Sequence, residues 1–208
     1  MLSQIELDNR DLSAAVAVRL KSLCGHRNDH ARFLNTLSLL EHLGSRKIMT
    51  SPAARAPGQD ILKHLAEETR HAFFFKRAAE KVYGATLGYD EKDLAAAPFA
   101  RAYLNRLDAH ISRTLGPQAP AALSYLYMSL IVELRAVWFY RLCHDVLAKS
   151  GLALSLRSVL AEEEQHLDAM FETSGELDPQ HERNVARFRV YEEKLFAKLW
   201  RRLESAIG

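Results

Sequence analysis

Apolar residues recur every three or four positions over most of the chain, and no stretch keeps the two-residue rhythm of a half-buried strand. The pattern opens on a short amphipathic segment over about 12–23, stopped at Gly25. A first long helix is predicted over 29–49, with Asn28 or Asp29 as its cap. Pro52 and Pro57 make 50–58 a tight connection, and a second helix follows over 59–83 until Gly84. The long connection over 85–120 holds its own helical piece, 99–115, closed by Gly116-Pro117. A third helix is expected over 121–149 with Gly151 as its stop, and a fourth over 152–173. After Gly175 and Pro179 a fifth runs to about 206, with Phe188, Tyr191, Leu195, Leu199 and Leu203 on one face. That stripe either covers the other helices or forms a dimer face. The expectation is an all-α chain, one domain over 1–208: two helical hairpins over about 29–173 joined by a long crossover, with additional N-terminal, crossover and C-terminal helices.

The second and fourth predicted helices repeat one another. Leu65-Ala66-Glu67-Glu68-Thr69-Arg70-His71 and Leu160-Ala161-Glu162-Glu163-Glu164-Gln165-His166 agree at five of seven positions. Of the nine histidines, only His71 and His166 have a Glu three residues earlier. Each preceding helix adds one Glu, Glu41 in the first half and Glu133 in the second. Glu68 follows Glu41 by 27 residues and Glu163 follows Glu133 by 30, so one two-helix unit is used twice. At ~1.5 Å per residue the first hairpin brings its two carboxylates to one height. The second fits less well, with an arm of about 24 Å from Glu133 against about 17 Å to Glu163.

Glu and His three residues apart share one helix face, so a single helix can present a carboxylate and an imidazole together. Two such helices, with Glu41 and Glu133, supply four carboxylates and two imidazoles. That charge neutralises two divalent cations and makes a buried site tolerable. Carboxylate-rich ligation with one His per metal suits iron, with manganese as the alternative, rather than zinc or copper. Glu133 carries particular weight. It lies in an otherwise apolar helix, where an unpaired charge costs several kcal/mol, so either a metal or a buried partner such as an Arg must accompany it. Glu67 and Glu162 sit four residues before the histidines and remain alternatives to their neighbours as ligands, while Glu164 is expected in solvent or behind the ligands. Replacing Glu133 with Ala is expected to remove metal and to leave metal-free stability level or higher.

Composition narrows the setting. The 28 basic and 26 acidic residues leave a net charge of +2, which disfavours nucleic acid while leaving a tRNA substrate open. Cys24 and Cys143 form no CxxC pair, so no zinc knuckle or rubredoxin-type site is implied. The N-terminus MLSQIELDNRD lacks the features of a signal peptide, and the most apolar stretch, 123–140, carries Glu133 and Arg135. The expectation is a cytoplasmic protein with no membrane partner.

With Glu41, Glu68-x-x-His71, Glu133 and Glu163-x-x-His166 in this order, the chain resembles the ferritin-like di-iron carboxylate superfamily over about 29–173. That superfamily includes bacterioferritins, rubrerythrins, small hydroxylases acting on modified tRNA or quinone precursors, aldehyde-deformylating oxygenases and manganese catalases. The resemblance implies a ferritin-like four-helix bundle with Glu41 and Glu133 as terminal ligands. Glu68 and Glu163 become metal-bridging carboxylates, and His71 and His166 one imidazole per metal. Rubrerythrin is disfavoured by the missing CxxC pair. Haem is not expected, because Thr69 stands where bacterioferritin has its haem-binding Met. The crossover helix and the fifth helix point to a small oxygenase or oxidase rather than a storage cage.

Around the ligands lie Leu34, Leu37, Gly44, Ser45 and Ile48, then Ser129, Ala136, Val137 and Tyr140, with Phe75 and Met170 near the motifs. The small side chains Gly44, Ser45 and Ala136 either open a pocket or let helices approach closely. Tyr140 is read as a core tyrosine or a redox relay, and His64, one turn before Glu68, as a residue behind the ligands or in the core. The expected function is activation of dioxygen by two iron ions to oxidise or hydroxylate a small substrate, with a reductase as electron source and a homodimer as one assembly. The alternative is ferroxidation, iron handling or peroxide detoxification.

Overall fold

The computed structural model describes residues 2–149 and 155–206, and they form eight α-helices with no strand among them. These are α1 (Leu2–Asp8), α2 (Arg10–Cys24), α3 (Arg27–Thr50), α4 (Gln59–Tyr83), α5 (Ala97–Leu115), α6 (Ala121–Lys149), α7 (Arg157–Leu177) and α8 (His181–Ala206). α3 packs along α4 and α6 along α7, giving two helical pairs. The first pair is closed by Ser51, whose hydroxyl caps the Ile48 carbonyl, and by the turn containing Pro52. α4 ends where Gly84 takes a left-handed φ of 86° and its N–H bonds the Glu80 carbonyl at 2.7 Å.

α3 carries buried polar side chains, and they tie down the crossover. Asn35 donates to the Gly88 and Asp93 carbonyls, both at 2.8 Å. Thr36 Oγ1 accepts the Ala95 N–H at 2.8 Å, and Ser38 pairs with the Tyr89 hydroxyl at 2.7 Å. The irregular backbone therefore finds several of its hydrogen bonds on the helix it crosses.

Three boundaries differ from expectation. α1 is an added helix: seven residues bury only Ile5, too little to register as periodicity. Asn9 ends it by donating its side-chain amide to the Ile5 carbonyl. α7 runs through Gly175 to Leu177, since one glycine costs a helix only ~1 kcal/mol and Pro179 is the firmer stop. Its expected start at Leu152 lies outside the described residues; among those described it begins at Arg157. The second pair is thus more offset than expected, with about 24 Å of α6 beyond Glu133 against about 9 Å of α7 before Glu163. α1 and α2 both pack on α6.

α8 lays its stripe on α5 and α6, burying Phe188, Phe196, Leu199, Trp200 and Leu203 inside the chain. Tyr191, placed in that stripe by its spacing, is half-buried and stacks on His110. Among the described residues only Ala122–Val146 is long and apolar enough to cross a membrane, and most of it is buried by the other helices.

Candidate metal centre

All six expected donors converge in the middle of the two helical pairs, and each is less than a tenth exposed. Their donor atoms fall into two groups. Glu41, Glu68, His71 and Glu163 form one; Glu68, Glu133, His166 and also His64 form the other. Within each group the donor atoms lie within 4.8 Å of one another. Glu68 belongs to both. Glu163 also reaches across, with Oε1 3.0 Å from His71 Nδ1 and Oε2 3.4 Å from His166 Nδ1.

The repeated motif explains the orientation of both rings. His71 Nε2 donates to Glu162 Oε2 at 2.7 Å, and His166 Nε2 donates to Glu67 Oε2 at 2.7 Å. The residue before the Glu of one motif thus holds the His of the other. A carboxylate only accepts, so each Nε2 carries the proton and each Nδ1 faces inward. In this placement Glu67 and Glu162 face the outer nitrogens. Glu162 is itself paired with Arg70, and Glu67 lies 3.8 Å from Lys63. Glu164 points away and pairs with Arg141 at 2.8 Å on the surface.

His64 is the donor that sequence reasoning ranked too low. Its Nε2 lies 3.1 Å from Glu133 Oε1 and 3.6 Å from Glu68 Oε1, while Nδ1 meets the Tyr125 hydroxyl at 2.8 Å. The signal was available, because 64, 68 and 71 fall on one helical face. The position four residues before Glu163 is Val159, so the two halves differ here. Tyr140 is both packed and polar: its ring lies against Phe75 and its hydroxyl donates to Glu41 Oε1. Gly44 faces the centre so closely that a Cβ would lie 2.9 Å from Glu68 Oε2. Ala136 lines an apolar cavity beside Glu41 and Glu163. Ser45 does neither; it is buried and bonds back to the His42 carbonyl.

Four carboxylates this close cannot all stay charged by themselves. Burial and then the charges of Glu68 and Glu163 push Glu41 well above the carboxylate range. Burial and the neighbouring Glu133 raise Glu163 as well. Burial also pushes Glu133 up, but hydrogen bonds with Glu163, His166 and His64 outweigh it and hold it at about 2. Glu68 is lowered in the same way, by His64 and His71 against burial and Glu163. Burial pulls the imidazoles down, yet the carboxylates hold His64 and His71 at about 12 and His166 at about 10.

Protons thus do the work of counter-ions here, and one contact shows the strain. His71 Nδ1 is buried and has no hydrogen-bond partner, although two carboxylate oxygens lie 3.0 and 3.8 Å away. With His71 held protonated, its Nδ1 proton sits among carboxylate oxygens without a well-aligned hydrogen bond. A cation bound by all of them removes the conflict, so the donor set fits a pair of divalent metals with oxygen and imidazole preferences. Compared with known protein families, curated proteins and solved structures, the chain matches none.

Proposed function

We propose that this chain is a ferritin-like di-metal carboxylate protein that binds two iron ions, or manganese in their place, and activates dioxygen to oxidise a small organic substrate. The observation that carries this reading is the pair of four-donor groups sharing Glu68, with the inward His71 nitrogen set among carboxylate oxygens. Glu41, His71, Glu133, His166 and His64 would each hold one metal, and Glu68 and Glu163 would bridge. Bound iron supplies the electrons and the open coordination positions that dioxygen needs. The protein's own residues do the rest. Glu67 and Glu162 keep the imidazoles aimed inward, Tyr140 orients Glu41, and the Tyr125 hydroxyl either accepts from His64 Nδ1 or donates to it as Nε2 changes partner. A cavity of about 380 Å³ reaches His64, Glu68 and Glu133, which favours an enzyme over an iron store.

Elemental analysis after anaerobic loading with ferrous iron should give two metals per chain. Mixing that protein with oxygen should produce a transient near-ultraviolet or visible band. Protein that takes up neither iron nor manganese, or ferrous protein inert to both oxygen and peroxide, sinks the proposal. A many-subunit assembly accumulating many irons per chain would move it to iron storage.

A further inference from the structure

The 380 Å³ cavity lies between α3, α4, α5 and α6, and its two ends differ. The floor is formed by His64, Glu68 and Glu133, three donors of a single group. The walls are apolar: Ile48, Leu104, Leu115, Met128 and Val132. At the mouth stands Lys47, the only Lys or Arg among the described residues lining it, with Nζ 2.7 Å from Asp108 Oδ2. The Lys47 side chain is 25% exposed and that of Asp108 42%, so the carboxylate is the partner that water can take over. Ser112 and Ser124, hydrogen-bonded at 3.0 Å, add hydroxyls near the same end.

We infer that this cavity is a substrate chamber for an amphipathic organic monoanion, its carboxylate held by Lys47 and its apolar end directed at the metal position that His64 serves. The inference rests on the di-metal reading for what happens to the ligand, but not for its binding. Lys47 exchanges Asp108 for the ligand, and Asp108 turns to water. The apolar walls take the chain, as they take the body of ligands in such pockets. The Gly44 backbone borders the passage to Glu68, where a side chain would press on the carboxylate. The cavity on the Glu41 and Glu163 side is only about 70 Å³, too small for the same ligand. The halves of the centre therefore have different tasks, and the extra imidazole sits on the substrate's side.

Calorimetric titration of the full chain with octanoate, octanol and octylamine tests this, using protein both metal-free and loaded with ferrous iron under anaerobic conditions. Octanoate should bind best in both forms. Lys47→Met should weaken octanoate by about tenfold or more and leave octanol unchanged; Asp108→Asn should keep or strengthen octanoate binding. Circular dichroism and iron content check that neither variant has lost its fold or its metals. Octylamine binding best, or octanoate binding unaffected by Lys47→Met, overturns the chamber. Octanoate binding that depends on Lys47 in a protein that never takes up metal supports the chamber while the di-metal reading fails.

Discussion

Two buried charged clusters sit back to back on α6, and they handle charge in opposite ways. Arg135 faces α8, where Nε and Nη2 grip Glu192 at 2.9 and 2.7 Å. Tyr103 donates to the same carboxylate at 2.6 Å, and Asn9 accepts from Arg135 Nη1 at 3.1 Å. The rings of Trp138 and Phe196 lie against the guanidinium. One positive and one negative charge close on each other, with their remaining hydrogen bonds satisfied. Glu133, two residues earlier, belongs to a cluster of four carboxylates and three imidazoles. The two readings for Glu133 are a metal and a buried partner such as an Arg, and His64 and His166 stand beside it at 3.1 and 3.7 Å. Its neighbour Arg135 is committed to Glu192. A closed pair staples the fold, whereas a cluster whose carboxylates are balanced by exchangeable protons can trade them for metal.

The largest effect expected from this contrast is on stability. Glu192→Ala strands Arg135 in the core and should cost about 3–5 kcal/mol in chemical denaturation, by the same amount with and without iron. A loss that appears only in iron-loaded protein would show that the two clusters are not independent.

Next come the ligands, where structure reverses one expectation. Glu133→Ala should remove at least one metal per chain and abolish oxygen reactivity. It should also lower metal-free stability, not leave it level, because Glu133 is the carboxylate that His64 and His166 hold down at about 2. The substitution expected to leave the metal-free protein as stable or more so is Glu41→Gln. Burial and its charged neighbours already drive Glu41 toward the neutral form, and Gln still accepts from Tyr140. Paired iron content and denaturation midpoints check both; matching metal-free midpoints for the two variants would contradict the assignment.

The pH response should separate the metal-free and loaded states. His64, His71 and His166 are raised from 6.5 to about 12, about 12 and about 10. Their stabilisation is complete below 6.5 and is lost as pH rises toward those values. Glu41 and Glu163, also raised, change in the same direction. Glu68 and Glu133 are depressed, and their contribution is lost only as pH falls below 4.5, toward about 2 for Glu133. Metal-free protein should therefore have a lower urea midpoint at about pH 9 than at about pH 6. Iron-loaded protein should resist that fall, since metal displaces the protons and binds better as pH rises. A metal-free midpoint that climbs over this range would refute the proton-for-metal picture.

Smaller effects follow at the edges. His64→Val, which copies Val159 into the first half, should weaken one metal of the two by about 10–100-fold, read as the second step of an iron titration. Equal weakening of both steps would remove the claimed asymmetry. Glu164→Ala breaks only a surface pair with Arg141 and should change stability by less than about 0.5 kcal/mol and metal content not at all. Loss of metal from this variant would mean that the wrong Glu of the motif had been chosen.

Much of the architecture could be read from the chain because it rests on local rules. The helix over 59–83 matches α4, and that over 121–149 matches α6 among the described residues, since apolar periodicity and a stop at Gly84 are written into neighbouring positions. The convergence of Glu41, Glu68, His71, Glu133, Glu163 and His166 was legible for a related reason: a repeated unit with equivalent spacing brings equivalent faces together. Contacts between helices distant in sequence were decided only by tertiary structure. Periodicity gives the face on which a side chain lies, but not its rotamer or what stands opposite. The exchange of Glu67 and Glu162 onto the other half's histidines spans 99 and 91 residues, and the grip of Arg135 on Glu192 spans 57. No local pattern carries such pairings. The inward turn of His64 and the chamber under Lys47 likewise exist only where four helices leave a space between them.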